Sequence, residues 1–471
     1  MSKYDTIFQI VLVLYCLTSV AFVFSPRAAI TYFMSFRAVF AVVGFVGVKA
    51  FSLVQYFVPG LLLLIVPTFF AFVRKTIKFR LYLPIFLYVL FCALIVIEAP
   101  FFILKGTEPI LVIQEFLKIS FPFLAYLLFY LGITQKEDLS KAEGNVMIVA
   151  LVPVIVGFLS VLTQIGYDLR HDVFVPLHTL IAPASTLVSR NLFGIFLALC
   201  LCHSIAFSLS MRNKKAYWIL GAILVMLVIA QNRGTWIALL LAVSFSVFLF
   251  RKHLNMGKWL LGAVIVVMLA SPIILHRFAQ LQQVDQWGQS KNTAAGRLET
   301  SKAVFSLAME NPVIGGGPYA FQTVIHEGVG LPHNDYARVA SEYGYVAMIV
   351  FTVFLLSHFL WILRNREGEM WHFQFAACIG QIYMIIISIA QNVVTDTTSY
   401  MLLFTLMAIS HRAAELTDPV EKKTYKFLAG TKHKKTDAAP SKTNDTHDEN
   451  PSNKKKEYKF LINKKHSGFC K

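Results

Sequence analysis

The sequence predicts an all-α integral membrane protein with about twelve transmembrane helices and one large extracytoplasmic loop. The first observation behind this is composition. Of 471 residues, 56% are hydrophobic and only 15% charged, and the mean hydropathy is +0.62. A water-soluble domain cannot bury that much apolar surface, whereas a bilayer accepts it. The second is segmentation. Apolar runs occur at 81–104, 119–133, 146–164, 191–210, 217–231, 235–250, 259–275, 345–363, 371–390 and 397–411. Where a run falls short of the ~20 residues that cross ~30 Å of hydrocarbon, flanking residues complete it.

The third observation is charge alternation. One set of connections carries Arg74, Lys75, Lys78 and Arg80, then Lys136 and Lys141, then Arg212, Lys214 and Lys215, then Arg251, Lys252 and Lys258, then Arg364 and Arg366. Lys and Arg collect on the cytoplasmic side of membrane proteins, so this set is expected to face inward. The other set, 105–118, 165–190, 232–234, 276–344 and 391–396, faces away from the cytoplasm. The alternation runs through without a skipped span. Within residues 1–73, spans are expected at 7–24 and 50–73. The stretch 28–48 is apolar but contains Arg37, and whether it crosses decides the side of the N-terminus. No small-residue cleavage site follows Phe24, so the first apolar stretch reads as a span and not as a signal peptide. The chain thus divides into a polytopic membrane domain, 1–411, and a basic, compositionally disordered cytoplasmic tail, 412–471. The tail's Lys454-Lys455-Lys456 and Lys464-Lys465 clusters are either solvated or in contact with anionic lipid.

The net charge of +17 resembles a nucleic-acid signature. The basic residues, however, sit in the short loops and tail where topology requires them, so no nucleic-acid partner is expected. Cys16, Cys92, Cys200, Cys202 and Cys378 lie in apolar stretches, where Cys is a small hydrophobe. With Cys470 in the tail, their spacing gives neither a disulfide framework nor a zinc site. No metal and no cofactor is expected. Glu98, near a span end, is the main charge inside a span.

Chemistry is therefore sought in the outer connections. The loop 276–344 is too long for a bare connector. Residues 299–310 place Val304, Leu307 and Ala308 at helical spacing, an amphipathic helix for the outer leaflet. Gly315-Gly316-Gly317-Pro318 is a tight turn, either plain or a nest of N–H groups for an anion. Pro332 and Asn334-Asp335 mark a helix start, with His333 just ahead of it. An outward imidazole is a general-base candidate because it titrates near neutral pH, although His171, His178, His276 and His326 also lie outside. Arg190 opens the span at 191, Arg233 lies in the short turn 231–236, and Arg297 lies in the long loop. Such arginines either anchor headgroups or bind phosphate, whose oxygens match the guanidinium fork.

In this order the segments resemble the O-antigen ligase and polysaccharide polymerase superfamily. His333-Asn334, nine residues and Gly344 follow its His-Asn motif; Ala347 departs from the Gly, Thr or Tyr that ligases carry at that position. NPVIGGGPYAF (311–321) is similar to its glycine-rich run, NRGTW (232–236) to its Arg-Gly-Trp turn and RNLFGIFLAL (190–199) to its span start. The resemblance spans roughly 186–363. It implies a metal-independent, inverting glycosyltransferase of the bacterial cytoplasmic membrane with an extracytoplasmic site. Its partners would be an undecaprenyl-pyrophosphate-linked glycan donor, a glycan or lipid-glycan acceptor and membrane lipids. His333 would be the catalytic base. Arg190, Arg233 and Arg297 would hold the donor's pyrophosphate, Asn334 and Tyr336 would bind substrate, and Glu342 would steady the helix or His333.

Polymerase and ligase both remain open, with Ala347 favouring a polymerase. A transporter or flippase is the alternative from another class. It would need polar, broken spans lining a path at membrane depth, and 217–275 is almost purely aliphatic. A protein O-glycosyltransferase would need an acceptor groove that no segment suggests. The topology is tested by a cysteine placed at Ser290. A membrane-impermeant reagent should label it in intact cells, and labelling only after lysis would overturn the assignment of 276–344 to the outside.

Overall fold

The computed structural model describes residues 79–163, 165–168, 173–176, 190–211, 214–259, 293–321, 333–391, 393–394 and 396–417, with scattered positions elsewhere. The expected spans at 7–24, 50–73 and 259–275, the undecided stretch 28–48 and the tail beyond Thr417 lie outside the described residues or almost wholly so. The described elements are α1 (Leu83–Leu104), α2 (Pro109–Gly132), α3 (Lys136–Thr163), β1 (Ile165–Asp168), β2 (Val173–Pro176), α4 (Arg190–Met211), α5 (Lys214–Ile229), α6 (Arg233–Leu249), α7 (Thr293–Glu310), α8 (Asp335–Arg364), α9 (Trp371–Ala390) and α10 (Thr397–Thr417). Among the described residues six helices, α1 to α4, α8 and α9, are long and apolar enough to cross a membrane, and α6 is a shorter apolar helix. The apolar runs at 81–104, 191–210, 217–231, 235–250 and 371–390 reappear as helices with ends within about three residues, while α2, α3 and α8 begin ten residues ahead of their runs and α10 ends six residues beyond its own.

The departures have physical causes. The all-α expectation is amended by one antiparallel hairpin, which pairs Ile165 with Pro176 and Asp168 with Val173. Helix α2 begins at Pro109, so the connection expected over 105–118 shrinks to 105–108. The charges Glu115 and Lys118 enter the helix because they pair with each other at 2.5 Å. Helix α3 begins at Lys136 for a similar reason: Asp138 Oδ2 accepts the Thr134 and Gln135 N–H groups ahead of it. Helix α10 runs to Thr417, so residues 412–417 are not tail. Arg412 stays buried there because its Nε donates to Ile133 O and its Nη1 pairs with Glu415. Glu98 has company among buried charges: Glu143 of α3 and His203 of α4 are both fully buried and paired at 2.5 Å. The second ring nitrogen of His203 faces Leu402 O and Thr405 Oγ1 of α10 at 3.0 Å. An ionisable group this deep persists only with such partners, because a lone one costs about 3 kcal/mol or more to insert.

Helices α4 and α9 are central, with 83% and 72% of their apolar windows buried, against 28% for α1. The outward faces of α1, α3, α6 and α8 carry Leu90, Ile97, Ile155, Leu240, Phe248 and Ile349, the surface expected beside lipid. Aromatic rings seam α1 to α8: Tyr88 meets Phe354, Phe91 meets Phe351 and Tyr343, and Phe102 meets Tyr343. The connections sort into two ends. At one, Lys136 pairs with Glu369, Lys252 with Glu367, and Tyr130 OH donates to Glu415. At the other, Lys105 reaches Asn311 Oδ1, and Asn232 Nδ2 donates to Asn191 O. The connections brought together are the ones the charge alternation groups.

Helix α8 is broken at Gly344, whose φ of 79° and ψ of 171° are not helical. The break divides it into a half-helix, 335–343, and a segment, 345–364, about 30 Å long at ~1.5 Å per residue. The glycine-rich loop repairs the interrupted ladder. Gly316 N–H donates to Ser341 O at 2.8 Å and Gly317 N–H to Glu342 O at 2.9 Å, while Tyr345 N–H donates to Pro312 O at 2.8 Å. These N–H groups are spent on helix carbonyls, so the loop is no anion nest. Both partners need glycine. A Cβ on Gly344 would overlap the Val313 carbonyl, and one on Gly315, itself at φ 78°, would sit 2.5 Å from the Glu342 backbone. Gly344→Ala should therefore lower stability by about 1–3 kcal/mol or more. Gly221→Ala, with open space around a helical glycine, should leave it equal or raise it by up to ~1 kcal/mol. Thermal unfolding of the purified variants in detergent checks this, and equal midpoints for the two would refute the account of the break.

Candidate functional site

The half-helix starts where the sequence places it. Asn334 is the N-cap, its side-chain oxygen accepting Ala337 N–H at 3.0 Å, and His333 immediately precedes it, half-buried. Asp335 follows and is fully buried. Its carboxylate accepts the N–H groups of Val393 at 2.9 Å and Val394 at 3.0 Å, strapping the start of α8 to the turn between α9 and α10. Tyr336 OH donates to Ile385 O of α9 at 3.2 Å.

The Arg233 turn reaches the same neighbourhood from the other side of α9. Gln231 holds φ 52°, and Asn232 caps α6 by accepting Thr235 N–H at 3.3 Å. The Asn232 amide also donates to Asn191 O at the start of α4, next to Arg190. Gly194 permits that approach, since a Cβ there would stand 2.8 Å from Asn232 Cβ. A Cβ on Gly234 would lie 3.6 Å from Gln391 Nε2, at the end of α9 and two residues before the strapped Val393. Arg233 itself is half-buried, and among the described residues it makes no hydrogen bond or ion pair. So the N-termini of α4, α6 and α8, carrying Arg190, Arg233 and His333-Asn334, gather around the C-terminus of α9. Aligned helix N-termini place partial positive charge and free N–H groups at one end of a bundle, the arrangement that accommodates an anion.

Arg297 is placed differently. It lies early in α7, whose later turns bury Val304 and Ala308, with Val304 packed on Ala337 and Phe321. The expected amphipathic helix exists, but its apolar face packs on protein instead of the leaflet. Glu342 steadies the half-helix: its Oε1 accepts from Arg338 Nε at 3.1 Å and from Tyr319 N–H at 3.0 Å. Burial, and next the nearby Glu115 carboxylate, push the Tyr319 phenol above its ordinary value. Ala347, where the motif departs, is fully buried one turn past the break. Sequence reasoning missed Asp335, Arg338, Glu115 and Gln391 as organisers of this end. The i, i+4 spacing of Arg338 and Glu342 was a visible signal for one pair. Nothing local pointed to partners 58 or more positions away.

Residues 218–352 match the family described as O-antigen ligase. This match supports the resemblance to the O-antigen ligase and polymerase superfamily. The matched region runs from α5 through the Arg233 turn, α7 and the glycine-rich loop to the middle of α8. Arg233, Arg297, His333, Asn334 and Tyr336 fall inside it; Arg190 lies ahead of it. Among curated proteins, none matches the chain. The match, with apolar helices long enough to span, supports a multi-pass membrane protein of the glycan ligase and polymerase kind. Among the described residues no cluster of His, Cys, Asp or Glu could hold a metal ion.

The strap at Asp335 gives a direct test. Asp335→Ala would orphan two buried N–H groups, at a cost of about 1–3 kcal/mol each. The variant should unfold at a clearly lower temperature than Asp138→Ala, whose carboxylate also accepts backbone N–H groups but at a partly buried helix start. A drop no larger than that of Asp138→Ala would refute the role given to the strap.

Proposed function

We propose that this protein is a glycosyltransferase that polymerises or ligates an undecaprenyl-pyrophosphate-linked oligosaccharide on the outer face of the bacterial cytoplasmic membrane. The observation that carries the reading is the gathering of the Arg233 turn, the α4 start and the His333 half-helix at one end of the bundle, opposite the basic connections. In this reading His333 is the general base. Its ring takes the proton of an acceptor hydroxyl as that oxygen attacks the anomeric carbon. The bond from that carbon to the pyrophosphate oxygen breaks, and the lipid pyrophosphate leaves with the electron pair. Attack from the face opposite the leaving group inverts the configuration.

The leaving group's charge falls to Arg233 and Arg190, with the α4 and α6 N-termini behind them. Arginine suits this role because its fork makes two parallel hydrogen bonds to phosphate oxygens, and preorganised charge stabilises the transition state without a metal. Arg297 is the remaining pyrophosphate candidate, from α7. Asn334 keeps its amide NH₂ for substrate while its oxygen caps the helix, and Tyr336, two residues on, is the other substrate-binding candidate. The acceptor is a glycan or lipid-glycan.

Turnover of a lipid-pyrophosphate oligosaccharide by purified protein tests the reading. His333→Ala should lose about 10²–10⁴ in rate, the typical worth of a general base. Arg233→Ala should be inactive, and Arg233→Lys should recover little. Wild-type turnover should persist in EDTA. Wild-type-like turnover by His333→Ala would remove the base, equal activity of Lys and Arg at 233 would reduce that residue to a headgroup anchor, and loss in EDTA restored by a divalent cation would replace the arginines by a metal.

A further inference from the structure

His333 lies just ahead of the half-helix 335–343, which is not held by the backbone ladder of the segment that follows it. Gly344 interrupts the ladder, and Tyr345 N–H, which an unbroken helix would give to Ser341 O, goes to Pro312 O instead. The position of the half-helix is therefore set from its flanks. The Asp335 strap fixes one end and the glycine-rich loop the other. Between them lies a charged cluster buried at the junction of α2, the loop and α8. Arg338 Nε donates to Glu342 Oε1 at 3.1 Å within the half-helix, and its Nη2 faces Glu115 Oε2 of α2 at 3.7 Å. Glu115 also accepts from Lys118, and Lys118 Nζ donates to Tyr319 OH at 2.7 Å. The Arg338 guanidinium lies over the Phe321 ring at 5.1 Å. Two cations meet two carboxylates, so the cluster is balanced as built. Within it, the Glu115–Arg338 pair is the ionic tie between the half-helix and α2.

A buried pair of this kind contributes little net stability but fixes geometry, because removing one partner strands the other's charge. We infer that Glu115, acting through Arg338, is a positioning residue of the transfer reaction: it fixes the half-helix 335–343 and thereby the placement of His333 relative to the Arg233 turn. This rests on the functional reading above. Glu115 touches none of the reacting groups in that reading. Its removal is felt because a misplacement of ~1 Å in a catalytic group can cost ~10²-fold in rate.

The experiment compares wild type, Glu115→Gln and Glu115→Asp as monodisperse protein, by kinetics on the lipid-pyrophosphate oligosaccharide and by amide hydrogen exchange. Glu115→Gln should lower kcat by tenfold or more while leaving the donor KM within about threefold. Glu115→Asp, which keeps the charge, should recover most of the loss. Exchange should rise in 335–343 and stay unchanged in 345–364. Wild-type kcat in Glu115→Gln, a loss that Asp does not recover, or exchange rising equally in both segments would overturn the inference. Should Glu115→Gln not yield monodisperse protein, Arg338→Lys, which keeps the charge but loses the fork, is read by the same criteria. Absence of wild-type turnover would sink the functional reading instead, and the exchange data would still decide whether Glu115 holds the half-helix.

Discussion

The exchange of backbone hydrogen bonds at Gly344 is the constraint on which this end of the molecule depends. A helix entering a bilayer satisfies its own polar groups, and a break leaves carbonyls and N–H groups that hydrocarbon cannot serve. Here a second piece of chain serves them. Gly316 and Gly317 donate to Ser341 O and Glu342 O, and Pro312 accepts from Tyr345. Only residues without a side chain approach closely enough, which is why the loop and the break both carry glycine. The consequence is a short helix freed from the direction of the span below it. Its axis is set by contacts with α2, α7 and the turn after α9.

That freedom explains how distant segments come to share one end. The α4 start, the α6 turn and the half-helix are far apart in sequence, and none is long enough to build a pocket alone. They meet because α9 stands at the centre: its C-terminal end and the turn after it receive the α6 turn (Gly234 beside Gln391) and the half-helix (Asp335 on Val393 and Val394, Tyr336 on Ile385), and the α6 turn also holds the α4 start through Asn232 and Asn191. Polar side chains do this joining where the apolar bundle ends. The opposite end is joined by a different chemistry. There Lys136–Glu369 and Lys252–Glu367 are exposed ion pairs, and Lys252, by hydrogen bond and charge, holds the Glu367 carboxyl below its ordinary range. Exposed pairs of this sort are individually weak; beside them, the buried Arg412 with Ile133 O and Glu415 joins this end as well.

Much of this was legible in the sequence. Helix positions followed from apolar runs, the grouping of connections from Lys and Arg, and the start of α8 from Pro332 and Asn334-Asp335. The break at Gly344 fell one residue before the expected span at 345. What stayed hidden was anything that depends on a partner remote in sequence. Glu115 and Lys118 read as loop residues because a charge is costly in a helix until Arg338 and Tyr319 are known to meet it. Arg412 and Glu143 read as tail and loop for the same reason. The Gly315-Gly316-Gly317 turn was open between two uses, and its use as a helix splint was neither of them, since the acceptors lie 25 residues onward in a helix assumed continuous.

The Glu143–His203 pair bears on how the protein is made. Its first two members lie on α3 and α4, which emerge from the ribosome early. The groups facing the other ring nitrogen, Leu402 O and Thr405 Oγ1, sit 199 and 202 residues later on α10. During synthesis the membrane must therefore hold a half-built polar junction through the insertion of every intervening helix. Arrival of α10 closes it. Among the described helices α10 is thus the one that completes this junction, and a chain ending short of Leu402 would leave that side of the histidine open.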